Sequence, residues 1–178
     1  MRMRVTLRGF KDRDADDLVT FAGTTSRPGQ RLIVSEAVCR GWIMCTADVR
    51  KAFLKGITYE ELARLTGEPM REANFELPGR AVAMLNTLPG YETFDPRTEV
   101  LHMLKPGTGC KDAPRCWSIR FTKVTNDIFG CRPLHHDDQL VVRHDKNDQL
   151  DCMATKHVDD AKIAAEEHTI KAFIKQTH

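Results

Sequence analysis

The stretch Lys156-His157-Val158-Asp159-Asp160-Ala161-Lys162 sets two adjacent carboxylates at the join of two apolar segments. Before it, Leu150, Cys152, Ala154 and Val158 alternate with polar positions; after it, Ile163-Ala164-Ala165 resumes an apolar run. The pattern predicts a strand, an acidic turn at 159–160 and a second strand. Two like charges cannot both be buried without a counter-charge, whereas Asp is a favoured residue of solvated turns. Local sequence therefore favours a plain hairpin turn. Whether these carboxylates bind something is decided elsewhere in the chain.

The 178 residues, 41% of them hydrophobic, suit one domain with a substantial core. Net charge is only +2 but unevenly spread. Residues 1–60 hold 11 Lys/Arg against 7 Asp/Glu, and residues 97–132 hold 7 against 3. Residues 61–96 (3 against 6) and 133–178 (6 against 9) are acidic. That division suits a surface meeting polyanion in one place and a cation in another. The six cysteines form no C-x-x-C pair, so neither zinc-finger spacing nor a secreted disulfide framework is indicated. No apolar run approaches a membrane span and no signal-peptide pattern opens the chain. An intracellular protein, of cytoplasm or nucleus, is the expectation.

In chain order, Val5 and Leu7 alternate with basic residues as in a short strand, and residues 11–19 are an acidic loop. Ser26-Arg27-Pro28 can open a helix with Leu32, Ile33, Ala37 and Val38 as its apolar stripe and Gly41 as its stop. Residues 42–49 form an apolar run of strand length with Asp48 at its tail. Residues 58–66 are predicted as a helix with Thr58 and Glu61 at capping-box spacing and Leu62 and Leu65 buried. Four prolines punctuate residues 69–96, with one helical turn at 81–85. Residues 100–104 are a strand candidate.

A Gly- and Lys-rich loop at 105–112 then leads a helix, with Asp112 as cap and Trp117, Phe121, Val124 and Ile128 as its buried face. Residues 139–143 and 149–156 are predicted as a hairpin across residues 145–148, and Ile170, Phe173 and Ile174 as the stripe of a last helix. Carboxylates from two distant strand ends, with a basic loop facing phosphate, are the parts that two-metal phosphoryl transfer requires. On that reading the metal accounts for acidic groups that would otherwise repel.

Asp48-Val49-Arg50-Lys51-Ala52-Phe53-Leu54-Lys55-Gly56 resembles the first catalytic motif (D-V-x-x-A-F-L-x-G) of reverse transcriptases from copia-type LTR retrotransposons. Gly109-Cys110-Lys111-Asp112-Ala113-Pro114-Arg115-Cys116-Trp117 is similar to their G-L-K-Q-A-P-R-x-W segment, and His157-Val158-Asp159-Asp160 to their Y-V-D-D box. Arg8-Gly9-Phe10, Thr20-Phe21-Ala22 and Leu88-Pro89-Gly90-Tyr91-Glu92 resemble connecting segments in the same order. The resemblance spans nearly the whole chain, and it is the order of the motifs that makes it specific.

It implies an α+β fold, a right-hand polymerase palm with partial fingers built as a small antiparallel sheet backed by helices. It implies one incomplete reverse transcriptase domain over 1–178, lacking the thumb, connection and RNase H segments of a parent polyprotein. Asp48 and Asp159 would be the main ligands of two Mg²⁺ ions, with Mn²⁺ able to substitute. Asp160 would support them, and the Val49 backbone would approach the triphosphate and metal. Phe53 would gate the nucleotide sugar. Gly109, Lys111, Pro114 and Arg115 would line the template and incoming nucleotide, and Arg8 and Lys11 would lie near the triphosphate. The implied partners are an RNA or DNA template-primer and dNTPs, and no membrane.

The chain departs from the family at His157, where a Tyr positions the primer end, and at Thr108, Cys110 and Asp112. The second implied reading is a catalytically inactive fragment that keeps the fold and at most weak nucleic-acid binding. An unrelated α+β domain with fortuitous motifs is the third.

Overall fold

The computed structural model describes residues 6–177. The chain is α+β and divides into two compact units, residues 1–57 with 106–178, and residues 58–105. No helix among the described residues is long and apolar enough to cross a membrane.

The larger unit is built on a five-stranded antiparallel sheet in the order β1-β7-β6-β5-β4. Its strands are β1 (Ile43–Asp48), β4 (Arg132–Leu134), β5 (Asp137–His144), β6 (Leu150–His157) and β7 (Asp160–Ala165). Helix α1 (Arg27–Arg40) covers one face, where Ile33 and Ala37 meet Leu140, Val142, Met153 and Ala164. On the other face, α5 (Glu167–Thr177) and the turn after α4 (Ala113–Lys123) close a core of Phe129, Cys131, Val141, Cys152, Ala154, Ile163, Ile170 and Phe173. Coverage on both faces explains why Cys152 to Lys156 are all buried, against the half-exposed alternation expected of β6.

Helix α1 begins and ends as its sequence predicts. Ser26 accepts a hydrogen bond from the Gly29 amide, Pro28 lies in the first turn, and Gly41 closes the helix at φ 64°. Its stripe is narrower than predicted: Ile33 and Ala37 are buried, but Leu32 is 42% and Val38 76% exposed. Strand β1 is likewise not buried throughout, since it lies at the sheet edge with Ile43, Met44 and Thr46 exposed.

Helix α4 departs from its sequence-read phase. Trp117 and Phe121 are buried as predicted, but residues Val124–Ile128 form a π-helical turn. The wider turn takes up one extra residue, so Thr125 and Phe129 occupy the buried face and Ile128 is 54% exposed. Phe129 then stacks on Phe173 with ring centroids 4.2 Å apart. Asp112 precedes α4 but makes no side-chain capping bond, contrary to expectation; it is buried instead.

The predicted N-terminal strand falls partly outside the described residues. Leu7 and Gly9 donate to the carbonyls of Thr108 and Gly109 (2.9 and 3.1 Å), and Gly9–Lys11 form a 3-10 turn. The approach is close enough that a Cβ on Gly109, at φ 96°, would collide with the Leu7 carbonyl.

The smaller unit contains α2 (Tyr59–Thr66), the two-residue strands β2 (Asn74–Phe75) and β3 (Leu101–His102), and α3 (Gly79–Leu85). Thr58 caps α2 through the Glu61 amide at 3.1 Å. Tyr59 and Leu62 form its buried edge, whereas Leu65, predicted to join them, is exposed.

Candidate active site

The β6–β7 hairpin is one residue out of its predicted phase. Its turn residues are Val158 and Asp159, and Asp160 is already the first residue of β7. That shift sets Asp160 directly opposite Asp48 on β1 and opposite His157 on β6. Directly opposed residues project to the same face with Cβ atoms about 5 Å apart. A row His157–Asp160–Asp48 therefore crosses three strands at one end of the sheet. Asp159 sits beside the row, because its carbonyl accepts from the Val49 amide at 3.3 Å.

All three Asp side chains and His157 are exposed. Among the described residues, the carboxylates of Asp48, Asp159 and Asp160 accept no hydrogen bond and make no ion pair. Solvent exposure, rather than a bound metal, is enough to let these carboxylates lie close together. Two unit charges about 4 Å apart in bulk water repel by only about 1 kcal/mol. The arrangement is tolerable when empty, and a cation between the groups would reverse its sign.

Trp117 and Thr25 hold this end of the sheet. The Trp117 indole donates to the Val158 carbonyl at 2.8 Å, fixing the turn to α4. Val158 itself has φ 54°, a conformation that is an outlier for a β-branched residue and costs on the order of 1–3 kcal/mol. On the β5 side of β6, the Thr25 amide donates to the Lys156 carbonyl at 3.0 Å. The Thr25 hydroxyl donates to the Gln139 carbonyl at 2.8 Å and accepts from the Lys156 amide at 3.1 Å. Neither Thr25 nor the indole N–H was legible as a support. Thr25 lies outside every motif, and Trp117 reads as core.

Lys156 lies under the row on the α4 side, 4% exposed. Its ammonium donates to Thr122 Oγ1 at 2.6 Å and stands 5.9 Å from the centre of the Phe121 ring. Burial pulls it down to about 8, against partial support from Asp138 and Asp137.

Val49 is buried, and both its main-chain groups are engaged: the amide with Asp159, the carbonyl with the Ala52 amide at 3.1 Å. One lone pair of that oxygen is left for a ligand. Phe53 lies in the 3-10 turn Ala52–Lys55, half-buried against Val49, Ala52, Trp117, Phe121 and Ala161. Gly109 is tied by its carbonyl to Gly9, and Pro114 opens α4 with Arg115 half-buried behind it. Lys111 is exposed and lines an open cleft of about 580 Å³ with Ala15, Asp16, Leu18 and Thr20. The sheet end thus gathers Asp48, Val49, Asp159, Asp160 and His157, while Gly109 and Lys111 belong to the loop beside residues 7–20.

Carboxylate and main-chain oxygen are the hard donors that Mg²⁺ or Mn²⁺ takes, so the donor set fits such ions by type. Among the described residues, no group of three or more His, Cys, Asp or Glu is assembled closely enough to hold an ion. Comparison of the chain with family models, curated proteins and solved structures finds no match.

Proposed function

We propose that the chain is the catalytic core of an RNA-directed DNA polymerase of the copia retrotransposon type, with the five-stranded sheet as its palm. The single observation that carries the reading is the register: Asp48 and Asp160, more than 100 residues apart, face each other across β1 and β7 beside Asp159. A plain hairpin turn has no need of a carboxylate on the neighbouring strand.

In this reading Asp48 and Asp159 are the principal ligands of two divalent cations, with Asp160 and the Val49 carbonyl in support. The cations, when bound, lower the barrier to attack of a primer 3′-hydroxyl on the α-phosphate of a dNTP and stabilise the departing pyrophosphate. The chain's own part is positioning. Trp117 holds the turn carrying Asp159, and the Asp159 carbonyl ties that turn to the strand carrying Asp48. His157, in the same row, faces the space a primer end would occupy. Phe53 is packed from behind by Trp117 and Phe121, as a rigid wall for a nucleotide sugar must be. Lys111, at the open cleft, meets the polyanion.

The second reading, a nucleic-acid-binding fold without catalysis, draws on the absence of a preassembled three-ligand group among the described residues. Primer extension on an RNA template with Mg²⁺ or Mn²⁺ separates the two. The polymerase reading expects extension by the unaltered chain and a loss of about 100-fold or more in Asp159→Asn, on the scale of removing a catalytic electrostatic group. Equal extension by both would sink it, and template binding without extension by either favours the second.

A further inference from the structure

One row inward from His157–Asp160–Asp48, on the same face of the sheet, Lys162 is directly opposite Thr155 on β6 and Thr46 on β1. Successive rows on one face are about 7 Å apart along the strands. Thr155, Lys162 and Thr46 line a cavity of about 300 Å³, closed by Gln30 of α1 and reaching His157 and Asp160 at its outer end.

Thr155 is only 3% exposed. Its hydroxyl, on the wall of this cavity, has no hydrogen-bond partner among the described residues. The oxygen is open to the cavity, where a ligand or water can meet it. Lys162 is exposed at the cavity, and its ammonium, which carries three donors, makes no ion pair or side-chain hydrogen bond among the described residues.

Two hydroxyls and one ammonium therefore converge from three strands. Such a lining does not suit an apolar guest. A donor-rich pocket with a single cation suits a compact anion with several acceptor oxygens, and Lys is a common point-charge partner of phosphate. Asp160 repels an anion at the outer end, which places the ligand inward, at Lys162.

We propose that this cavity is a phosphate-binding subsite, in which Lys162, Thr155 and Thr46 hold a phosphate group that is either free or carried on a nucleic-acid strand. The subsite does not depend on the polymerase reading, because none of its three donors is among the residues assigned to metal or to the reacting groups.

Inorganic phosphate is the probe, titrated into ¹⁵N-labelled protein at ionic strength matched with chloride. Saturable amide shifts are expected at Thr46, Thr155 and Lys162. Lys162→Met should weaken the apparent Kd by about tenfold or more, as loss of the charge-assisted partner predicts. Lys162→Arg should retain binding. Lys146→Met, in the distant β5–β6 turn, should behave as the unaltered chain. Shifts that do not saturate, or that are the same in Lys162→Met, overturn the subsite.

A short single-stranded DNA and its methylphosphonate analogue identify the source of the phosphate. If the strand supplies it, the natural oligonucleotide moves the same amides at lower concentration and the uncharged analogue does not. If the phosphate is free, neither oligonucleotide moves them while phosphate does. Either pattern establishes the subsite.

Discussion

Strand β6 carries an acidic turn at each of its ends, and the two turns are built on opposite logic. In the β5–β6 turn the Asp145 carboxylate accepts from the amides of Asn147 and Gln149, both at 2.8 Å. These backbone bonds hold Asp145 below its ordinary carboxylate value. Asp148 supplies the left-handed residue at φ 59°, a position where Asp is among the tolerated types. In that turn the Asp145 carboxylate is spent on the turn's own amides.

In the β6–β7 turn the left-handed position falls on Val158, for which it is strained, and the carboxylates of Asp159 and Asp160 satisfy nothing in the described chain. Its geometry is held from outside, by Trp117 and by the pairing of Asp159 with Val49. An acidic turn that stabilises itself is structural. The other is braced from outside while the carboxylates of Asp159 and Asp160 are left unused among the described residues.

The contrast can be broken or sharpened by mutation. The largest effect on stability should come from the strand between the turns. Lys156 is at about 8 in the folded chain against 10.5 ordinarily. Below pH 8 both folded and unfolded chains hold the proton, and the full burial penalty of roughly 3 kcal/mol applies. From about 8 to 10.5 the folded chain has released the proton while the unfolded chain still binds it, so stability rises with pH. Lys156→Met, offset by loss of the Thr122 bond, should stabilise by roughly 1–3 kcal/mol at pH 7. Chemical denaturation should show that advantage shrinking across the same window; a constant difference would mean that burial is not its cause.

Trp117→Phe keeps most of the packing and removes one donor. It should cost about 1–2 kcal/mol in urea melts and loosen the amide-exchange protection of Val49. If protection is unchanged, the turn does not need its brace. Val158→Gly removes the β-branched strain and should stabilise by about 1 kcal/mol, the reverse of what glycine usually does in a hairpin. Asp145→Ala should have a smaller effect still, a lowered Tm whose difference from the parent disappears as the pH falls through the depressed Asp145 value. Asp159→Ala, by contrast, should leave Tm unchanged, since its carboxylate accepts no hydrogen bond among the described residues. Equal behaviour of the two aspartates would erase the distinction between the turns.

Much of the frame was legible in sequence because it rests on local rules. Ser26, Pro28 and Gly41 marked the ends of α1, Thr58 marked the start of α2, and the β5–β6 hairpin followed from alternation and a polar turn. The misses share a physical cause, a long-range contact that overrides a local period. Leu32 and Val38 belong to a plausible stripe, but the sheet is wide enough to cover only Ile33 and Ala37. The buried face of α4 slipped by one residue at the π-helical turn. The site was half legible. Asp48 and the Asp159-Asp160 pair stood out as strand-end carboxylates, but nothing local could set Asp160, rather than Asp159, in register with Asp48. Thr25 and the Thr46–Thr155–Lys162 row are visible only once strands distant in sequence lie side by side.

The π-helical turn at 124–128 makes the chain unusually indifferent to its own length at that point. It stores one residue more than an α-helix needs while Trp117, Phe121, Thr125 and Phe129, spaced four apart, all remain buried. Excising a single residue from the turn would let the backbone tighten into an uninterrupted α-helix, with these four side chains still on one face. For this segment, loss of a codon is a milder event than many substitutions: the helix would shorten by a notch without turning Phe129 away from Phe173 of α5.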